Sequence, residues 1–242
     1  MHYRLTVEYD GTEFHGWQLQ PGARTVQGEL EAAAGRLFGV PIRVGAAGRT
    51  DAGVHAAGQV VTFRASRVLA PDVVRRALNA HTARDLAVCA VDLVDESFDP
   101  RRSARSRRYV YRIWNRREPS PFWRRFTWHV PQPLDIEAMA HAAAALLGEH
   151  DFSSFRAAGC DAAHPVRRVL RSALDSDGSM IRFDIEATAF LRHMVRNIVG
   201  TLVEVGLRRR SVDLAALLAA RDRTLAAATA PARGLCLVEI RY

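Results

Sequence analysis

The strongest constraint on the fold is the order of short apolar alternations and amphipathic runs, which recurs twice along 242 residues. Alternation from Arg4 to Tyr9 places Leu5, Val7 and Tyr9 on one face, predicting a half-buried strand that ends at the turn Asp10-Gly11. Thr25 is placed to cap a helix whose Val26, Leu30, Ala33, Ala34 and Leu37 keep helical spacing, and Gly39-Val40-Pro41 stops it. Strands near 42–47 and 58–64 flank the loop 48–55. Pro71 then opens a short helix containing Val73, Val74, Ala77 and Leu78, and Leu86–Val91 supplies a further strand. The first half reads β-α-β-β-α-β.

The second half repeats that order. It has a strand near 107–114, a helix at 135–147 begun by Asp135 and ended by Gly148, a hairpin at Asp177-Gly178 joining strands 167–175 and 179–187, and a helix at 190–206. An extra helix at 212–221 precedes a last strand, Leu235–Ile240. The expected fold is mixed α/β (α+β). It consists of two tandem ferredoxin-like, split βαβ halves with mainly antiparallel sheets, joined near 96–106: an N-terminal domain at 1–103 and a C-terminal domain at 104–242. The halves share no sequence identity, so the repeat rests on element order alone. This topology leaves one sheet face open, the face RNA-recognition modules use.

With 48% apolar and 25% charged residues the chain is not disordered, collagen-like or a disulfide framework. Its longest apolar run falls far short of the roughly 18 residues of a membrane span, and the N-terminus enters a polar alternation instead of a signal-peptide stretch, so a cytoplasmic protein is expected. Cys89, Cys160 and Cys236 are too few and too scattered for a disulfide scaffold or a Cys-x-x-Cys pair and read as buried small hydrophobes. The net charge is +8 and the pI near 10.3, which points to a polyanionic partner. All 34 cationic side chains are Arg, whose planar fork suits phosphate and stacks on bases; GC-rich codon usage accounts equally for the choice of Arg over Lys, though not for the surplus charge.

Three features carry chemistry. Between Asp99 and Trp123, Arg101, Arg102, Arg105, Arg107, Arg108, Arg112, Arg116 and Arg117 interleave with Tyr109, Tyr111, Trp114, Phe122 and Trp123, the mixture that looped RNA requires. The bland alternative is a solvated linker followed by a strand whose rings pack inward. On the predicted helix 190–206, Arg196 lies at the edge of a broad apolar arc; it meets an anion from elsewhere in the fold or snorkels to solvent. In the loop Gly48-Arg49-Thr50-Asp51-Ala52-Gly53-Val54-His55, Asp51 either bonds its own turn or, beside guanidiniums, stays an ionised oxygen nucleophile. No phosphate-binding Gly-x4-Gly-Lys loop, Gly-x-Ser-x-Gly elbow or dinucleotide Gly-x-Gly-x-x-Gly is present. Cys160 and His164, with His150-Asp151 upstream, make a weak zinc pattern, so no metal is expected. His15, His55 and His193 read as structural or RNA-contacting.

The loop 48–55 resembles the catalytic motif of the tRNA pseudouridine synthase A family. Glu8-Tyr9-Asp10-Gly11, Gly16-Trp17-Gln18, Arg108-Tyr109-Val110-Tyr111, Phe190–Gly200, Asp222–Ala230 and Gly234-Leu235 agree with it in order, so the likeness spans nearly the whole chain. The resemblance implies a cofactor-free, metal-free enzyme that isomerises uridine to pseudouridine at positions 38, 39 and 40 of the tRNA anticodon stem-loop. It further implies a homodimer that presents a joint basic surface to tRNA, with a cleft between the two domains of each subunit. Asp51 matches the nucleophile, Arg196 the basic residue paired with it, Tyr109 the tyrosine packed against the target base, and Arg49 the arginine that helps extrude the nucleotide. His55 and Arg108 fall within the same motifs and are expected to contact substrate. Thr188 stands where the family commonly has Asn, and Arg108 where relatives often have Lys.

The reaction breaks C1′–N1, turns the freed uracil and forms C1′–C5, so it needs a nucleophile or base, a hold on the detached ring and exclusion of water. The sequence leaves open whether Asp51 adds to C1′ or C6 or removes the C2′ proton. Extruding the base costs a few kcal/mol, which phosphate contacts and an intruding Arg49 offset. Two rivals compete: a non-catalytic RNA-binding protein, and a nucleoside hydrolase that uses Asp51 as a retaining glycosidase does.

Overall fold

Tyr3, Leu5, Val7 and Tyr9 alternate along the first strand, β1 (His2–Tyr9), and all are at most 4% exposed, which is why it lies at the centre of its sheet. The computed structural model describes residues 1–160, 162–209 and 213–242. The chain divides into two units, Met1–Arg105 with Leu237–Tyr242, and Ser106–Cys236.

In the first unit β1 is followed by α1 (Val26–Phe38), β2 (Val44–Ala46), β3 (His55–Arg64), α2 (Pro71–His81) and β4 (Leu86–Val94). β1 pairs antiparallel with β3 on one side and β4 on the other, and β2 pairs antiparallel with β3. The order β4-β1-β3-β2 is that of a split βαβ unit. Thr25 Oγ1 accepts from Gly28 N at 3.2 Å at the start of α1, and Gly39 closes it in the left-handed region. Leu30 on α1 and Leu78 on α2 are buried, each removal from water stabilising the unit by roughly 1.5–3 kcal/mol.

The second unit contains β5 (Ser106–Trp114), β6 (Trp128–His129), α3 (Ile136–Ala144), β7 (Gly148–Asp151), β8 (Val166–Asp177), β9 (Met180–Ala187), α4 (Met194–Gly206) and α5 (Leu214–Ala220). Its sheet runs β5-β9-β8-β7 with antiparallel neighbours, and β6 makes a short parallel pair with β5. The last strand, β10 (Leu235–Arg241), hydrogen-bonds to β3, so its residues from Leu237 onward belong to the first unit.

Four local expectations are corrected. The helix predicted over 135–147 ends at Ala144, and Gly148–Asp151 pairs with Val166–Val169 as the unpredicted β7. The helix predicted over 190–206 begins only at Met194: His193 sits at φ 60°, and Phe190 packs edge-on against Tyr109 at 5.1 Å instead of continuing the helical stripe. The helix predicted over 212–221 is seen as Leu214–Ala220, its first predicted residue lying outside the described residues. Only Cys236 of the three cysteines is buried; Cys160 is half-buried, and Cys89 is exposed because it is the extra residue of a bulge, Thr6 pairing with Ala90 and Val7 with Val88. Among the described residues no helix is long and apolar enough to cross a membrane.

Candidate active site

The loop between β2 and β3 is held along its length by backbone and buried polar groups of the first unit. The amide of Trp17 donates to Thr50 O at 3.0 Å, and the Thr50 hydroxyl lies 2.8 Å from the buried Tyr9 hydroxyl. Within the loop, Val54 N donates to Asp51 O at 3.1 Å, and Gly53 N donates to Phe14 O at 3.3 Å. Gly16 makes this approach possible: its φ is +87°, and a Cβ there would stand 2.8 Å from Thr50 O. Phe14 is itself fixed, because the Arg24 guanidinium lies over its ring at 4.1 Å while clamping Asp85 through two bonds of 2.6 and 2.7 Å. The hydrogen bond to Arg24 is the main cause that holds the Asp85 carboxyl below the usual range.

His55, the last loop residue and first of β3, is 4% exposed, and its Nδ1 accepts from Gly11 N at 3.0 Å. An amide can only donate, so Nδ1 carries no hydrogen. Asp10 Oδ1 also lies 3.2 Å from this nitrogen. His55 is a buried peg under the loop. Asp51 is half-buried and Arg49 exposed, so the tethers lie on the backbone and flanking residues and the two side chains singled out by the sequence emerge from a fixed frame.

In the second unit the strand carrying Tyr109 separates what the sequence presents as one mixture. Period two puts Tyr109, Tyr111 and Ile113 inward, at 9%, 0% and 1% exposure, while Arg108, Arg112 and Trp114 face the other way. The Tyr111 hydroxyl donates to Pro231 O at 2.8 Å, and burial pushes its phenol pKa strongly up. Arg108 is clamped to Asp184 on β9, Nε to Oδ1 at 2.8 Å and Nη2 to Oδ2 at 2.6 Å. Rings and cations come together instead on the segment after β5. There Phe122 is 86% and Trp123 43% exposed among the exposed Arg116, Arg117, Arg124 and Arg125, and Arg116 lies 5.1 Å over the Trp114 ring.

Arg196 is half-buried on the first turn of α4. Its Nε donates to Ala230 O at 2.8 Å, and Ala230 N returns a bond to Arg196 O at 3.1 Å. Asn197, fully buried beside it, donates to Phe155 O and accepts from Thr229 Oγ1 at 2.6 Å, so the 223–230 segment is strapped along the helix. That strap, with Gly16, Thr50 and Tyr9 under the loop, has no role that sequence reasoning assigns; its only signal is membership of the motif segments quoted above. Among the described residues no group of three His, Cys, Asp or Glu side chains is arranged to hold a metal ion.

Fold and loop together define an α/β protein that presents a half-open carboxylate on a braced loop between two antiparallel strands. The family described as tRNA pseudouridine synthase matches residues 5–101 and 142–242, and the chain belongs to it. The matched stretches contain Arg49, Asp51, His55 and Arg196, while Arg108 and Tyr109 lie between them. Similar proteins include the tRNA pseudouridine synthase A of Myxococcus xanthus, 50% identical over 99% of this chain and 91% of its own length. Those of Paramagnetospirillum magneticum (51%, 99% and 94%) and Moorella thermoacetica (48%, 99% and 98%) are alike at the same level. The chain is thus an enzyme, an isomerase of the pseudouridine synthase class, which sets aside the two rivals of a purely RNA-binding module and a nucleoside hydrolase.

Proposed function

We propose that this enzyme converts uridines 38, 39 and 40 of the tRNA anticodon stem-loop to pseudouridine, with Asp51 as nucleophile and the target base flipped out of its stack. The observation that carries this reading is the contrast within one loop, where Thr50 and His55 are locked by buried hydrogen bonds and Asp51 between them is half-open. Asp51 assists cleavage of C1′–N1, the uracil turns, C1′–C5 forms, the C5 proton leaves to solvent and N1 is reprotonated, so atoms balance with no cofactor. Arg49, exposed two residues away, takes the place of the extruded nucleotide, and Tyr109 packs against the turning base. Arg196 serves as the basic residue that accompanies the nucleophile. In this reading the enzyme acts in the cytoplasm as a homodimer whose surplus of arginine follows the tRNA backbone.

The test is tritium release from tRNA labelled at uridine C5. Wild type releases tritium from the anticodon-arm uridines with no free uracil and no loss of RNA mass. Asp51→Asn releases none while its tRNA affinity and melting temperature stay near wild type. Substantial turnover by that variant refutes Asp51 as nucleophile, and release mapped to another arm of the tRNA refutes the anticodon stem-loop.

A further inference from the structure

We infer that Gln59 is a positioning residue for the reaction, fixing the entry of the Asp51 loop, an inference that rests on the loop being the catalytic one. Gln59 lies on β3 opposite Val7 and shares its face with Val61 and Phe63, which oppose Leu5 and Tyr3. All of these neighbours are apolar or aromatic core residues, and Gln59 among them is 0% exposed. Its Nε2 donates to Gly48 O at 2.8 Å. The carbonyl it faces can only accept, which fixes the orientation of the amide and leaves Oε1 buried with no hydrogen-bond partner among the described residues.

Such a group is expensive to keep. A buried unsatisfied acceptor is costly; an apolar side chain of the same length removes that cost and packs on Val7 but takes the donor from Gly48 O, so the exchange is close to neutral for stability. The amide therefore contributes little net stability to the fold. What the amide does hold is the peptide joining Gly48 to Arg49. A Cβ at Gly48 would have no heavy atom within 4 Å, so this residue has both a glycine's freedom and open space to use it. Upstream, Ala47 N donates to Val60 O at 2.9 Å, and the other tethers fasten Thr50, Asp51, Gly53 and His55 downstream, so the 48–49 peptide lies between two fixed points with the Gln59 amide as its own side-chain hold. Rotation of the 48–49 peptide would swing Arg49 and tilt the chain that carries Asp51, and Gln59 blocks it.

The experiment uses the full chain with Gln59→Leu and Gln59→Met, and Asp51→Asn alongside. Four quantities are read: single-turnover tritium release, tRNA Kd, melting temperature, and amide hydrogen exchange over residues 48–53. Both apolar variants are expected to lose about tenfold to a hundredfold in rate, the scale on which misplacing a reacting group acts. Their Kd and melting temperature stay near the wild-type values, and exchange rises at Arg49–Asp51. A wild-type rate in either variant, or a rate loss matched by loss of melting temperature and affinity, overturns the inference. An active Asp51→Asn instead removes the catalytic reading of the loop, whereas an inactive Asp51→Asn beside fully active Gln59 variants removes only the role of Gln59.

Discussion

Asp184 sits between two guanidiniums, Arg108 from β5 and Arg171 from β8, at 2.6 and 2.9 Å, with its own side chain 14% exposed. Burial is the largest single influence and pushes its carboxyl up, but the two arginines together outweigh it and hold the group below the usual range. The folded form thus releases its proton at lower pH than the unfolded chain does. This contribution to stability is complete above the unfolded value of about 3.9 and is lost as pH falls from there through the lowered folded value. Asp184→Asn should cost about 1–2 kcal/mol at neutral pH, moderated by the exposure of Arg171, and should flatten the acid limb of a melting-temperature profile; an unchanged limb contradicts the pairing. Arg108, expected to contact substrate, has both oxygens of Asp184 on it, a partner that lies 76 positions away and carries no motif. Asp51 and Arg49 were legible because their motif is contiguous. The holds of Gln59 and Tyr9 were not, because they depend on which way a strand side chain turns and, for Tyr9, on a partner 41 positions away.

At the scale of elements, the arginine-rich stretch is three structures in succession. Arg101, Arg102 and Arg105 are exposed ahead of β5, Arg108 and Arg112 share one face of the strand, and Arg116, Arg117, Arg124 and Arg125 surround the exposed Phe122 and Trp123 beyond it. A strand's twofold period necessarily divides rings from cations, whereas an irregular segment lets them mix. Replacing Arg101, Arg102 and Arg105 together by Ala should lower the log–log salt slope of tRNA binding by about one unit for each phosphate that is no longer neutralised. An unaltered slope makes them a solvated face. α4 teaches the complementary lesson: its apolar stripe was legible over the whole length that folds, but the first predicted turn gives way to the packing of Phe190 on Tyr109.

For the whole molecule, the chain's end is part of the first unit's structure. The amide of Arg105 donates to Arg241 O at 2.7 Å, the Tyr242 hydroxyl donates to Pro100 O at 3.0 Å, and the Tyr242 and Phe98 rings meet at 5.0 Å. Deleting residues 237–242 strips β3 of a hydrogen-bonded neighbour and opens a sheet edge. The truncated protein should melt in a broader transition at lower temperature, and limited proteolysis should cut first within residues 1–105. Melting and cleavage patterns like those of the full chain would show that the strand is dispensable.

The sequence by itself determined the alternation of strands and helices, most helix ends and the family resemblance, and it marked the loop 48–55 as the candidate for chemistry, because periodicity, caps and contiguous motifs are local. Tertiary structure alone decided that Gln59, Tyr9 and Gly16 converge on that loop, that Asp184 engages Arg108, and that the final strand completes the unit begun by the first residue. These are hydrogen bonds and close approaches whose partners range from 11 positions apart, for Gln59 and Gly48, to opposite ends of the chain, and no local pattern encodes which partner a side chain will meet.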